Sequence, residues 1–189
     1  SSLKRLASLP FDVIKVDQGI ILDIERDPVK ALTLVRTVVQ IGRDFEKEVV
    51  VEGVENDGII EAVTVLGAKF GQGYGIARPM PSEQLQDWAV QHAMHRRTNS
   101  SDPAPLQFST PLGALAYHWI DVHGDHPHQM HRLEQCPLTA FLKSYGAGAA
   151  EAESCHAIIH EAQDEEVRKA ASKKLTAWLV EEVRLHQKR

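Results

Sequence analysis

Two stretches of this chain bring together residue types that can do chemistry. In the first, Val49, Val50 and Val51 run straight into Glu52, followed by Gly53, Val54 and Glu55. A short β-branched run that ends at turn residues reads as a strand buried on both faces. In parallel α/β sheets and barrels, chemistry collects where strands end and loops begin. Glu52 stands at such an end. The plainer alternative is that Glu52 and Glu55 open the next helix, where carboxylates favour the dipole. Upstream, Lys15 and Asp17 are two residues apart behind apolar Val13 and Ile14, so on a strand they share a face; the plainer alternative is a surface ion pair of little worth. In the second stretch, His156 and His160 are four apart. On a helix that spacing places both rings on one face, about 5–6 Å apart at Cβ, where they can share a metal ion.

The elements that must position these side chains alternate. Ser1 to Pro10 reads as a helix end stopped by Pro10, and Phe11 to Val16 as a strand. Asp27 and Pro28 open a helix that carries Leu32, Leu34, Val35, Val38, Val39 and Ile41 inward as far as Phe45. The strand Glu48 to Val51 follows, then a helix from about Asn56 to Leu66 stopped at Gly67. Lys69 to Tyr74 is the third strand, and Ser82 caps a helix with Leu85, Trp88, Ala89 and His92 along it. Strand then helix, three times with short connections, predicts right-handed βαβ units and a parallel sheet.

The character changes near Arg97. The polar, proline-containing segment 97–106 reads as a linker. Beyond it only helical patterns occur: Pro111 to about His123, about Pro127 to Tyr145 stopped by Gly146 and Gly148, Glu151 to Gln163, and Glu165 to His186. The last has Val167, Ala170, Ala171, Leu175, Trp178, Leu179 and Val183 as its core stripe. Four helices of this length predict a small four-helix bundle. The expected division is therefore 1–96, a linker at 97–106, and 107–189.

Composition agrees with a packed, soluble protein. The hydrophobic fraction is 43% and the net charge −5, which excludes wholesale disorder and disfavours a protein that coats nucleic-acid polymers. No apolar run approaches the roughly 20 residues that span a bilayer. Two cysteines, Cys136 and Cys155, do not make a secreted disulfide framework, so a reducing cytoplasm is the expected location, with room for a membrane anchor upstream of Ser1. Histidine is unevenly spread: ten in all, none before His92.

Three motifs carry a family resemblance. Leu9-Pro10-Phe11-Asp12-Val13-Ile14-Lys15-Val16-Asp17 fits LPxDxIKxD, Val49 to Glu55 fits VVxEGVE, and Gly67 to Pro81 fits GxxxxQGYxxxRPMP. In this order and spacing they resemble the C-terminal half of the EAL domain, the bacterial phosphodiesterases that hydrolyse cyclic di-GMP to pGpG. The resemblance runs from Ser1 to about Trp88 and implies the last three βα units of a TIM-like barrel, with two Mg²⁺ or Mn²⁺ ions at the strand ends. It implies that Lys15 orients the attacking water, that Asp17 supports Lys15, that Glu52 is a metal ligand and that Glu55 anchors its loop. Gln72, Gly73 and Arg78 would meet the substrate. The family's Glu-Ala-Leu motif, the Asn and Glu ligands after it and its paired aspartates have no counterpart in this sequence. The expectation is thus a C-terminal fragment of a longer protein, with cyclic di-GMP as its partner.

A second resemblance lies beyond the linker. Cys136-Pro137-Leu138-Thr139-Ala140-Phe141-Leu142 resembles the C-x-L-G-x-W-L stretch of CZB domains, zinc-binding four-helix bundles of bacterial receptors and cyclases, with Thr139 and Phe141 departing from it. His156 and His160 match that family's H-x-x-x-H. The resemblance implies tetrahedral zinc held by Cys136, His156, His160 and a first-helix histidine. His118 fits that place, with His123, His126, His128 and His131 as rivals. The bland alternative is solvated histidines and a small buried cysteine. The whole is expected to be a cyclic di-GMP phosphodiesterase with a zinc-sensing helical module, pairing as a homodimer through the barrel or the bundle. The alternative is a non-catalytic cyclic di-GMP receptor with a metal-free dimerisation bundle.

Overall fold

A computed structural model of the protein describes residues 10–96, 108–123 and 132–187. The expected helix end at 1–9, the linker, and His126, His128 and His131 lie outside the described residues. Three short strands, β1 (Val13–Val16), β2 (Glu48–Glu52) and β3 (Phe70–Gln72), form one parallel sheet in the order β1-β2-β3. Lys15 lies opposite Val50, and Glu52 opposite Gln72. The rest is mostly helix, so the fold is mixed α/β, consistent with part of a barrel.

Between β1 and β2 come α1 (Gln18–Leu22), a 3₁₀ turn and α2 (Pro28–Asp44). Asp27 caps α2 by accepting from the Lys30 N–H, with Pro28 in the first turn, as the Asp-Pro pair predicts. After β2, Asn56 caps α3 (Asp57–Val65) by accepting from the Ile59 N–H. β3 leads to α4 (Ser82–Arg96). Val16, Val49 and Val51 point into a core with Leu32, Val35 and Val39 of α2 and with Ala62 and Val63 of α3. The opposite face of the sheet is open: Val13 and Phe70 are exposed, 42% and 45%. Leu34 on α2 and Leu85 on α4 are exposed as well, so the expected inward stripes of those helices are narrower than read.

The remaining helices are α5 (Pro111–His123), α6 (Pro137–Tyr145), α7 (Ala150–Glu161) and α8 (Glu165–Gln187). The expected helix from about Pro127 is shorter. Pro137 sits at its first helical position, preceded by a 3₁₀ turn at Leu133–Gln135, because a proline inside a longer helix would break its hydrogen-bond ladder. On α8 the buried stripe begins at Ala171 and continues through Leu175, Leu179 and Val183, while Val167 is exposed. α5 packs on α3 and on α8, α8 packs on α7, and the buried residues of both halves form one continuous apolar cluster.

The contact between halves has a polar clamp. Both oxygens of Glu61, on α3, are occupied at the start of α5. Oε1 accepts from the Ser109 N–H at 2.9 Å and the Ser109 hydroxyl at 2.7 Å; Oε2 accepts from the Thr110 N–H at 2.9 Å and the Thr110 hydroxyl at 2.6 Å. Thr110 Oγ1 in turn accepts from the Gly113 N–H at 3.1 Å, capping α5. A side chain at Gly113 would press on Phe108 and Glu61. The Arg36 guanidinium, on α2, donates to the last carbonyl of α5, at His123, at 2.9 Å.

Candidate functional site

The parallel register carries three of the expected site residues to neighbouring strand ends. Lys15 lies next to the last residue of β1, opposite Val50, while Glu52 ends β2 and Gln72 ends β3 beside it. The Lys15 ammonium and the Glu52 carboxylate form an ion pair, with side chains 57% and 27% exposed. The expected neighbour of Lys15 on a shared strand face is Asp17; β1 instead ends at Val16, Asp17 turns into the next helix as its N-cap, and Lys15 pairs with Glu52.

Glycine shapes the loops on either side. Gly53 has φ +76°, and a Cβ there would sit 2.9 Å from the Gln18 Cβ. Glu52 is therefore held by a turn that only glycine makes without strain. Gly73 packs directly on the Val54 backbone, which lets the end of β3 close on the loop after β2. The Arg78 guanidinium stacks on the Tyr74 ring, 4.7 Å from its centroid. Glu55 is exposed. Asp17 is at the end of β1 and accepts from the Gly19 N–H at 2.7 Å, making it the N-cap of α1.

The second constellation lies among α5, α6 and α7. One ligand atom from each of Cys136, His156 and His160 lies within 4.8 Å of the other two. Cys136 and His156 are buried, at 3% exposure each. Cys136 directly precedes α6, where Pro137 starts the helix. The two histidine rings meet edge to face, with centroids 4.7 Å apart. His156 Nε2 lies 3.1 Å from Thr139 Oγ1, and its Nδ1 has no hydrogen-bond partner among the described residues. His118 is buried beside this group. Its Nε2 lies 3.1 Å from Thr176 Oγ1 and 3.3 Å from Ser172 Oγ, both on α8. His118 is not one of the three residues that converge. His123 is exposed and packs at a tilt against Trp119, centroids 3.9 Å apart and ring planes 49° to each other.

The electrostatics of this pocket disfavour charge on its own groups. Burial, and then the neighbouring His160 and His118, lower the His156 pKa to about 3, so its ring is neutral and keeps a lone pair. Burial pushes the Cys136 thiol up. Its Sγ lies 3.9 Å from the Tyr117 hydroxyl, whose own pKa burial also raises. A thiolate here therefore needs a strong positive partner, and a metal ion is one.

Comparison with known proteins bears on the strand-end site. Residues 1–79 match the EAL domain. Relatives of this segment include the cyclic di-GMP phosphodiesterase PdeR of Escherichia coli K12, 38% identical over 88 residues, 47% of this chain and 13% of the relative. The bifunctional diguanylate cyclase/cyclic di-GMP phosphodiesterase MucR of Pseudomonas aeruginosa PAO1 is 40% identical over 85 residues, 45% of this chain and 12% of the relative. The cyclic di-GMP phosphodiesterase RocR of the same organism is 35% identical over 88 residues, 47% of this chain and 22% of the relative. The chain thus spans between 12% and 22% of the length of these relatives.

EAL domains in general use Mg²⁺ or Mn²⁺. In the EAL segment the strand ends supply Glu52, with Glu55 beyond it. Among the described residues, the one group of three or more metal-ligating side chains is the Cys–His group. Among the described residues, the strand ends of this segment do not by themselves assemble a complete two-metal site. The Cys–His group does fit zinc: one soft and two borderline donors converge, and a buried imidazole nitrogen lacks a partner. Three residues that matter here carry no local signal in the sequence. Tyr117, Thr139 and Glu61 act through partners 17 to 49 positions away. Among the described residues no helix is long and apolar enough to cross a membrane.

Proposed function

We propose that this chain is the C-terminal part of a cytoplasmic, cyclic di-GMP-specific phosphodiesterase that forms pGpG, joined to a CZB-like helical module that senses zinc. The observation that supports the first half is the register that sets Lys15, Glu52 and Gln72 at adjoining strand ends within an EAL segment. In this reading Lys15 orients the attacking water and offsets charge on the phosphoryl oxygens. Asp17 holds the start of α1 and with it the position of Lys15. Glu52 offers its carboxylate to a metal and Glu55 steadies the loop after β2. Gln72, Gly73 and Arg78 face the dinucleotide. Metal ions, when bound, supply an activated water and neutralise developing charge.

The second half rests on the convergence of Cys136, His156 and His160. His118, buried beside them, would be the fourth ligand. Zinc bound there would hold Cys136 as a thiolate and tie α5, α6 and α7 together, so that the order of the helical module reports zinc to the EAL segment through α5 and α3. A second copy of the protein would pair through the barrel or the helical module. The test has two arms. In the full-length protein, pGpG formation should be lost on Glu52→Gln; cyclic di-GMP binding without turnover in the unaltered protein would make it a receptor instead. In the purified chain, about one zinc per chain should be lost on Cys136→Ser.

A further inference from the structure

Thr139 stands within hydrogen-bonding distance of three groups that belong to the metal pocket. Its N–H donates to the Cys136 carbonyl at 2.9 Å. Its hydroxyl donates to the Leu133 carbonyl, which also receives the Cys136 N–H at 3.3 Å. Its Oγ1 is 3.1 Å from His156 Nε2. A hydroxyl has one proton, and here it goes to Leu133. Oγ1 can then only accept from His156, so Nε2 carries the ring proton. A neutral imidazole protonated at Nε2 has its lone pair at Nδ1, the buried atom with no partner among the described residues.

We infer that Thr139 is a positioning residue: through the relay His156 Nε2–H, Thr139 Oγ1, Leu133 carbonyl it fixes the tautomer of His156 and commits Nδ1 to the metal. The inference rests on the zinc reading above for its purpose, but the tautomer is a property of the metal-free chain as well. Outer partners of this kind orient a ligating imidazole and raise its basicity, and their loss costs 10–100-fold in affinity. The relay also couples the ligands to one another. The same hydroxyl that holds His156 on α7 tightens the turn that presents Cys136 ahead of α6, so the two ligands are set by one side chain.

The experiment compares wild type with Thr139→Val, which keeps the shape and removes the hydroxyl, and Thr139→Ser, which restores it. Ring ¹⁵N shifts of His156 are read by two-bond ¹H–¹⁵N correlation in the metal-free, folded chain, and zinc affinity by competition with a chelator. Nε2–H should dominate in wild type and Thr139→Ser and be lost in Thr139→Val, with zinc affinity about 10–100-fold weaker in the valine variant alone. Nδ1–H in wild type would overturn the inference. So would a valine variant that keeps both the tautomer and wild-type affinity. If wild type takes up no zinc, the zinc-sensing reading falls, and the tautomer comparison still decides the role of Thr139.

Discussion

The Glu61 clamp allows a quantitative test of how the two halves are joined. Glu61→Ala removes four hydrogen bonds to a carboxylate at the start of α5. A hydrogen bond to a charged group contributes about 1.5–3 kcal/mol. The two bonds to Ser109 are exposed and the two to Thr110 part-buried. Freed donors at a helix start turn readily to water, so the exposed pair counts for little, and some side-chain entropy is recovered. Taking the Thr110 pair near the lower bound gives about 2–3 kcal/mol of lost stability. For a chain of this length that is a fall in Tm of about 4–12 °C. The assay is urea unfolding of wild type, Glu61→Ala, Thr110→Val and the double variant, which isolates the coupling between the partners. A coupling of about 1 kcal/mol is expected, since the two share a hydrogen-bonded network. Glu61→Ala within about 0.5 kcal/mol of wild type, the range of an ordinary surface change, would refute the clamp.

Other expectations follow from the sites. The chain by itself should form no pGpG from cyclic di-GMP with added Mg²⁺ or Mn²⁺, because its strand ends offer too few ligands; product detected by chromatography would contradict this. In the full-length protein Glu52→Gln and Lys15→Ala should each lower kcat by orders of magnitude, read in steady-state kinetics, whereas normal turnover in both would remove these residues from the mechanism. Zinc at about 100 times its Kd should stabilise the chain by about 2.7 kcal/mol, seen as a higher Tm that a chelator reverses. Cys136→Ser and His160→Ala should abolish that shift, and retention of zinc in both would place the ligands elsewhere. If His118→Ala alone keeps its zinc, the fourth ligand is one of the other histidines.

Much of the strand–helix alternation was legible because it rests on local rules. Asp27-Pro28 and Asn56 start α2 and α3 where capping chemistry predicts, and the Val49–Val51 run forms a strand as its β-branched residues imply, but on one face only: Val49 and Val51 are buried, while Val50 lies half-buried on the open face instead of being buried as expected. The misses have local causes too. α1 is five residues long, too short for a 3.6-residue period to register. The early start expected for α6 ignored Pro137. The outward turn of Val167 depends on which stretch of α8 finds a partner, and periodicity alone does not say that. At the strand ends, motif and spacing pointed to Lys15, Glu52 and Gln72; the register sets Glu52 opposite Gln72, and Lys15, opposite Val50, reaches Glu52 through its side chain. For the Cys–His group, the i,i+4 histidines were legible from spacing. The convergence of Cys136 on them depends on how α6 meets α7, and the hydroxyl of Thr139 gains its meaning only there.

The continuous apolar cluster has a practical consequence for handling the protein. Segment 97–106 reads as a boundary in composition, yet α3 on one side and α5 on the other bury their faces in each other. A protease that nicks the chain there should cut it without parting it, and the two pieces should co-elute as a natural split pair. Expressed separately, each piece would present its half of that contact, with Ile59, Ala62 and Val63 uncovered on one and Leu112 and Leu115 on the other. Truncations designed from composition alone would then leave these apolar faces in water on both pieces.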